Sequence, residues 1–360
     1  MKALQVYAGP RALSHIWQHG LRSRDIAAVP AAAGGPKGIV LNPLDRFIFG
    51  KWLPGAGRTV HLLGSSIGAW RMACACLRNP DESLKKLADD YIHQRYEHAP
   101  GKPPAPGHVT EVFGQALAAQ FGARESEVLN HPRFRLHVFT SRGRHLMRQE
   151  ARIGPVLGYL GAFATNAVSR RAMGFWLERV LFSDPRDPLP VPLDDYRTRQ
   201  VVLDESNLQR SILASCSIPF WLDAVREIPG APVGAFWDGG ITDYHLHLRY
   251  AAWRANAESE SLVLYPHFQQ QIVPGWLDKP LRHRHRMSPQ LDNVIVLAPT
   301  AQWIASLPGG KLPDRQDFRR YGDDADGRMA AWRQALAESE RLRDEFEEGL
   351  QRGFPDAHPL

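Results

Sequence analysis

Thr59-Val60-His61-Leu62-Leu63-Gly64-Ser65-Ser66-Ile67-Gly68, followed by Ala69–Leu77, reads as an apolar strand, a tight turn and a helix rich in small residues. Gly64-x-Ser66-x-Gly68 in that context is the pattern of a nucleophile elbow. Flanking glycines let strand and helix approach closely. The turn lifts the Ser66 hydroxyl above the sheet, and the helix N-terminus favours negative charge developing beside it. Taken alone, the same five residues are also a plain strand-to-helix turn.

Two further segments change the balance. Upstream, the apolar run Ile26–Ala33 enters Gly34-Gly35-Pro36-Lys37-Gly38 and then a helix. This loop is neither GxxxxGK[ST] nor GxGxxG. It suits an oxyanion hole, in which backbone N–H groups face an oxygen that gains charge. Pro36 has no N–H, so the available donors are Gly34, Gly35, Lys37 and Gly38. Downstream, Phe236-Trp237-Asp238-Gly239-Gly240 follows an apolar run, which places Asp238 at a strand end on the same sheet edge as Ser66. Alone, it reads first as an Asp-Gly turn, which is very common.

Other strands are expected at Arg133–Thr140, Gln200–Leu203, Ser261–Tyr265 and Asn293–Leu297, and helices at Asp81–Glu97, Val109–Phe121 and Asn207–Leu213. Short apolar runs alternating with helical stretches predict an α/β fold with a mainly parallel central sheet covered by helices. Pro100, Pro103, Pro104 and Pro106 mark a loop over 100–107. Met329, Trp332, Leu336 and Phe346 give an amphipathic helix over about 327–349. No repeat or composition break divides the chain, so residues 1–360 read as one domain.

Bulk composition narrows the class. Hydrophobic residues make up 44% and charged residues 23%, the balance of a globular chain with a sizeable core. The net charge of +6 is compatible with an anionic surface but builds no nucleic-acid module. Cys74, Cys76 and Cys216 form neither a disulfide framework nor a CxxC pair. The first twenty-one residues carry Gln5, Arg11, His15 and His19 and no apolar signal core, so a cytoplasmic location is expected. The uncharged stretch between Arg152 and Arg170 suggests either a core helix pair or, with Phe175 and Trp176, an acyl-chain entrance.

A glycine loop GG-x-[RK]-G, then GxSxG, then DGG, in this order, resembles the patatin-like phospholipase family. Ala214-Ser215-Cys216-Ser217-Ile218-Pro219 is similar to the family's AS-x-A-x-P segment. The resemblance spans about Ala31 to Gly240. It implies a three-layer α/β/α fold and hydrolysis of lipid acyl esters by a Ser–Asp dyad without histidine. By position, Ser66 would be the nucleophile and Asp238 its base. Gly34, Gly35 and Lys37 would donate the oxyanion amides, with Pro36 at the family's non-donating position. No cofactor or metal is implied. The partner would be a lipid or small-ester substrate, with peripheral membrane contact as an option and no nucleic acid.

The chain departs from the family in two places: Ala32 and Ala33 precede only two glycines, and Ser217 stands where the family often has alanine. Two rivals stay open. One is an α/β-hydrolase with a Ser–Asp–His triad drawing on His245, His247 or His267. The other is a catalytically silent lipid-binding protein of the same fold.

Overall fold

The computed structural model describes residues 1–98, 103–145, 154–253 and 260–360, without the side chains of 154–157. Its centre is one ten-stranded sheet. The strands are β1 (Leu4–Ala8), β2 (Ile26–Ala31), β3 (Val60–Ser65), β4 (Phe134–Gly143), β5 (Leu177–Ser183), β6 (Thr198–Val202), β7 (Phe236–Asp238), β8 (Leu262–Pro266), β9 (Val294–Pro299) and β10 (His358–Pro359). They lie in the order β10-β1-β9-β8-β2-β3-β4-β5-β6, with β7 also paired to β4.

The five central strands, β9 to β4, run parallel, and β1 and β5 flank them antiparallel. Every residue of β2, β3, β8 and β9 is buried, so both faces of this region are covered. That burial is what a parallel sheet between helical layers requires, and the fold is a three-layer α/β/α arrangement.

All seven strands expected from sequence are present, within a few residues at either end. β5 was hidden by Glu178 and Arg179, which look unsuited to a buried strand. Both are buried because each is paired: Arg179 Nε donates to Asp243 Oδ2 at 2.9 Å, and Arg197 Nε to Glu178 Oε1 at 2.9 Å. β1 is not among the expected strands; its five residues alternate buried and half-buried, which is ordinary strand patterning over too short a run to stand out.

Three boundaries need correction, the first being the helix expected over Asp81–Glu97, which spans Pro80–Ile92. The expected loop over 100–107 stops short at its C-terminal end, where Pro106–Phe121 is helical, with Pro106 at the first helical position that its fixed φ suits. Residues 99–102 lie outside the described residues. The single helix expected over about 327–349 is two, Ala325–Glu338 and Glu340–Arg352, which meet at Ser339. In the uncharged stretch, Gly154–Val168 is helical. Ile153 and the side chain of Leu157 lie outside the described residues, while Phe163 is half-buried and Leu160 exposed. No helix among the described residues is long and apolar enough to cross a membrane.

Candidate active site

The register of β4 brings Ser66 and Asp238 together. β3 pairs along β4 as far as Ser65 opposite Phe139, and β7 continues from Asp238 opposite Thr140 to Phe236 opposite Arg142. β5 holds the other edge of β4 from His137 to Gly143, so β3 and β7 share one edge. One is parallel to β4 and the other antiparallel, so they run towards each other and their ends meet. Residues 172 apart in sequence are thereby joined by one hydrogen bond: Ser66 Oγ donates to Asp238 Oδ2 at 2.6 Å.

The elbow is strained. Ser66 has φ 57° and ψ −131° and caps the N-terminus of the helix Ile67–Ala75. Such a conformation in a non-glycine residue costs on the order of 1–3 kcal/mol and is held by its surroundings. The flanking glycines are needed for close approach. A Cβ on Gly64 would sit 2.3 Å from Ala69 Cα, and one on Gly68 would sit 2.0 Å from the Ala31 carbonyl oxygen. Gly68→Ala should therefore push the elbow helix off the end of β2, at a cost of about 1–3 kcal/mol for overpacking. Gly114→Ala, where added bulk meets nothing within 4 Å, is the matched control. Thermal melts of both variants check this; equal stability would remove close approach as the reason for Gly68.

Ser215 ties these parts together, a role the sequence did not assign to it. The Ser66 N–H donates to Ser215 Oγ at 2.8 Å, and Ser215 Oγ donates to the Phe139 carbonyl at 2.7 Å. The Ser215 carbonyl accepts from Gly239 N–H at 3.2 Å, and the Ser217 carbonyl accepts from Asp238 N–H at 2.8 Å. The only sequence signal was membership of the Ala214–Pro219 segment.

Asp238 is fully buried, and its second oxygen accepts the Gly240 N–H at 2.7 Å. Burial pushes its carboxyl up from the usual 3.8 to about 6, against the pull of the Ser66 and Gly240 hydrogen bonds and the charges of Arg315 and Lys279. The short helix Gly240–Asp243 that follows is fixed by buried polar groups. Tyr196 OH donates to Asp243 Oδ2 at 2.7 Å, and Arg170 Nη2 donates to the Thr242 carbonyl at 2.8 Å.

β2 ends beside β3, with Ala31 opposite Gly64, so the glycine loop opens at the same sheet edge as the elbow. A tight helical turn begins at Gly35, which has φ 55°, and runs to Leu41. The N–H groups of Gly34 and Gly35 come at the start of this turn, Pro36 offers none, and Lys37 is its third residue. A Cβ on Gly38 would contact Ile67 at 3.5 Å, and one on Gly240 would sit 2.7 Å from Ala33 Cβ. The glycine loop thus abuts both the elbow and the Asp-Gly-Gly turn. A hydroxyl bonded to a buried carboxylate beside loop amides can serve acyl transfer.

The histidines are engaged elsewhere. His245 Nδ1 accepts from Val273 N–H at 2.9 Å, His267 Nδ1 from Gln269 N–H at 3.0 Å, and His247 Nε2 lies 3.2 Å from Ser288 Oγ. Burial lowers all three, His247 to about 4 and His267 to about 3, so they are neutral at physiological pH. Among the described residues, no histidine is hydrogen-bonded to Ser66 or Asp238, and no cluster of three His, Cys, Asp or Glu side chains could hold a metal. A cleft of about 770 Å³ beside Arg142, Arg144 and Glu227 is lined by neither Ser66 nor Asp238.

No protein-family model matches the chain, and no curated protein does. Among solved structures, VipD from Legionella pneumophila matches over 89% of this chain and 67% of its own, at 12% identity and a TM-score of 0.34.

Proposed function

We propose that the protein is a serine acyl hydrolase that cleaves carboxylic esters of lipids, with Ser66 as nucleophile and Asp238 as base. The observation that carries this reading is the 2.6 Å bond from Ser66 Oγ to a fully buried carboxylate, made at a strained elbow. Asp238 takes the Ser66 proton as Oγ attacks the ester carbonyl. The amides of Gly34, Gly35 and Lys37 stabilise the oxyanion, and the leaving alcohol takes the proton. Water, activated by the same carboxylate, then hydrolyses the acyl-enzyme. A carboxylate is a weak base for a hydroxyl, so burial assists by raising its proton affinity and by excluding water. Ser66 is only 5% exposed.

A fluorophosphonate probe tests the reading. The expected adduct is on Ser66, located by mass spectrometry, and it should be absent from Ser66→Ala. Labelling elsewhere, or none, overturns it.

The pH dependence follows from Asp238. Its carboxylate must be ionised to accept a proton, so kcat/KM on an uncharged ester should rise with pH through about 6 and then level off. Initial rates across the acid range measure this. A midpoint near 7 that shifts when a histidine is replaced would assign the base to that histidine instead.

A further inference from the structure

Three cations near the glycine loop and the turn that follows Asp238, Lys37, Lys279 and Arg315, have no acidic side chain within ion-pair distance among the described residues. Arg315 lies over Gly35, where an added Cβ would be 3.7 Å from its Cγ and Nε, and its guanidinium is 5.6 Å from the Trp276 ring. Lys279 Nζ stands 4.1 Å from the Tyr244 ring and 5.5 Å from that of Trp276. Lys37 Nζ stands 5.1 Å from the Phe268 ring. The carboxylate whose field reaches Lys37, Asp314, is itself bound by Lys311 at 3.0 Å.

Trp276 joins these groups to the reacting centre. Its Nε1 would be 3.4 Å from a Cβ on Gly240, and this buried N–H has no hydrogen-bond partner. Aromatic faces hold the cations in place, and the cations repel one another. Lys279 is pulled down to about 8 by its partial burial and by the neighbouring charges of Lys37 and Arg315, with the Asp238 carboxylate, already bound to Ser66 and Gly240, pulling the other way. Cations held this close, with an unused N–H beside them, offer charge-assisted hydrogen bonds to an incoming anion.

We propose that Lys279, Arg315 and Lys37, with the Trp276 N–H, bind an anionic group on the leaving-alcohol side of the substrate, so that the enzyme selects net-anionic esters over zwitterionic and neutral ones. This rests on the hydrolase reading and deepens it. The recognised chemistry is a phosphate monoester or similar oxyanion, carried either by a lipid in a membrane or by a soluble acyl ester.

Three esters with one acyl chain test the selection: 1-acylglycerol, 1-acylglycerophosphocholine and 1-acylglycerol 3-phosphate. They are assayed at about pH 7.5, where Asp238 is ionised and Lys279 largely charged. The expected result is a kcat/KM at least about tenfold higher for the phosphate monoester, from charge-assisted bonds absent in the others. In Arg315→Gln and Lys279→Gln that preference ratio should fall about tenfold. Equal rates on the three esters, or a ratio unchanged in both variants, overturns the proposal. Assays below the micelle concentration and on vesicles separate the sources: a preference kept by the dispersed ester assigns the anion to the substrate molecule, and one confined to vesicles assigns it to the lipid surface.

Titration of Ser66→Ala with glycerol 3-phosphate, against glycerol, reads the subsite without turnover. Saturable binding of the phosphate, weakened by Arg315→Gln, supports the subsite even if no ester is cleaved, and that second outcome would sink the hydrolase reading alone. No binding at millimolar concentration together with equal rates overturns the subsite alone.

Discussion

Ser66→Ala is expected to abolish ester hydrolysis, a loss on the order of 10⁴–10⁶ in kcat, while the protein stays folded. The hydroxyl is the only atom group removed, and on the proposed mechanism it forms the covalent bond. Its structural partners are few: Oγ donates to Asp238, whereas the backbone N–H of residue 66, not its side chain, holds Ser215. The elbow backbone should therefore persist. Asp238 loses one of the two hydrogen bonds that favour its charged form, so its carboxyl should rise further above about 6 and take up a proton near neutrality. Protonation relieves the buried charge and limits the destabilisation to about 1–3 kcal/mol, the cost of one buried group left unpaired. Initial rates on a short-chain ester, set beside circular dichroism and thermal melts, check both halves. A variant that keeps more than a few per cent of wild-type rate removes Ser66 from the mechanism.

What could be read from sequence and what could not divide along one physical line. Gly64, Gly68, Gly239 and Gly240 mark places where backbones come too close for a Cβ, and such constraints are written in consecutive residues. Apolar runs mark the central strands for the same reason, since burial on both faces demands them. The pairing of Ser66 with Asp238 was legible only as a shared sheet edge. That β3 and β7 meet end to end depends on the register along β4, which no local pattern encodes. The rest was hidden because it depends on partners distant in sequence. Arg179 belongs inside a strand only because Asp243 and Asp195 reach it, and Ser215 matters only because it bridges residue 66 and Phe139. Lys279 and Arg315 carry no motif. They converge near the site through Trp276 and the loop after Leu312.

Asp238→Asn should separate catalysis from stability, lowering the rate about 10²–10⁴-fold while making the folded state more stable at neutral pH. The amide keeps the shape. Its oxygen can still accept the Gly240 N–H, and its NH₂ can donate to Ser66 Oγ, which reverses the direction of that bond and leaves no base. The stability gain comes from the charge that is no longer buried. A carboxyl raised from 3.8 to about 6 binds its proton more tightly in the folded chain than in the unfolded one. Wild-type stability therefore loses, as pH climbs from about 4 to about 6, up to about 3 kcal/mol from this group, and the loss is complete above that window. The variant has no such group, so the difference in melting temperature between variant and wild type should be smallest near pH 4, widen towards pH 6 and stay constant beyond it. Replacing His245, His247 or His267 should lower the rate per folded molecule far less, because their hydrogen bonds run to Val273, Ser288 and Gln269 respectively. A histidine variant as inactive as Asp238→Asn at equal folded fraction would make the dyad untenable. A melting-temperature difference that does not change with pH would show that Asp238 is not held above its ordinary range, and with it would go the argument that burial makes this carboxylate a competent base.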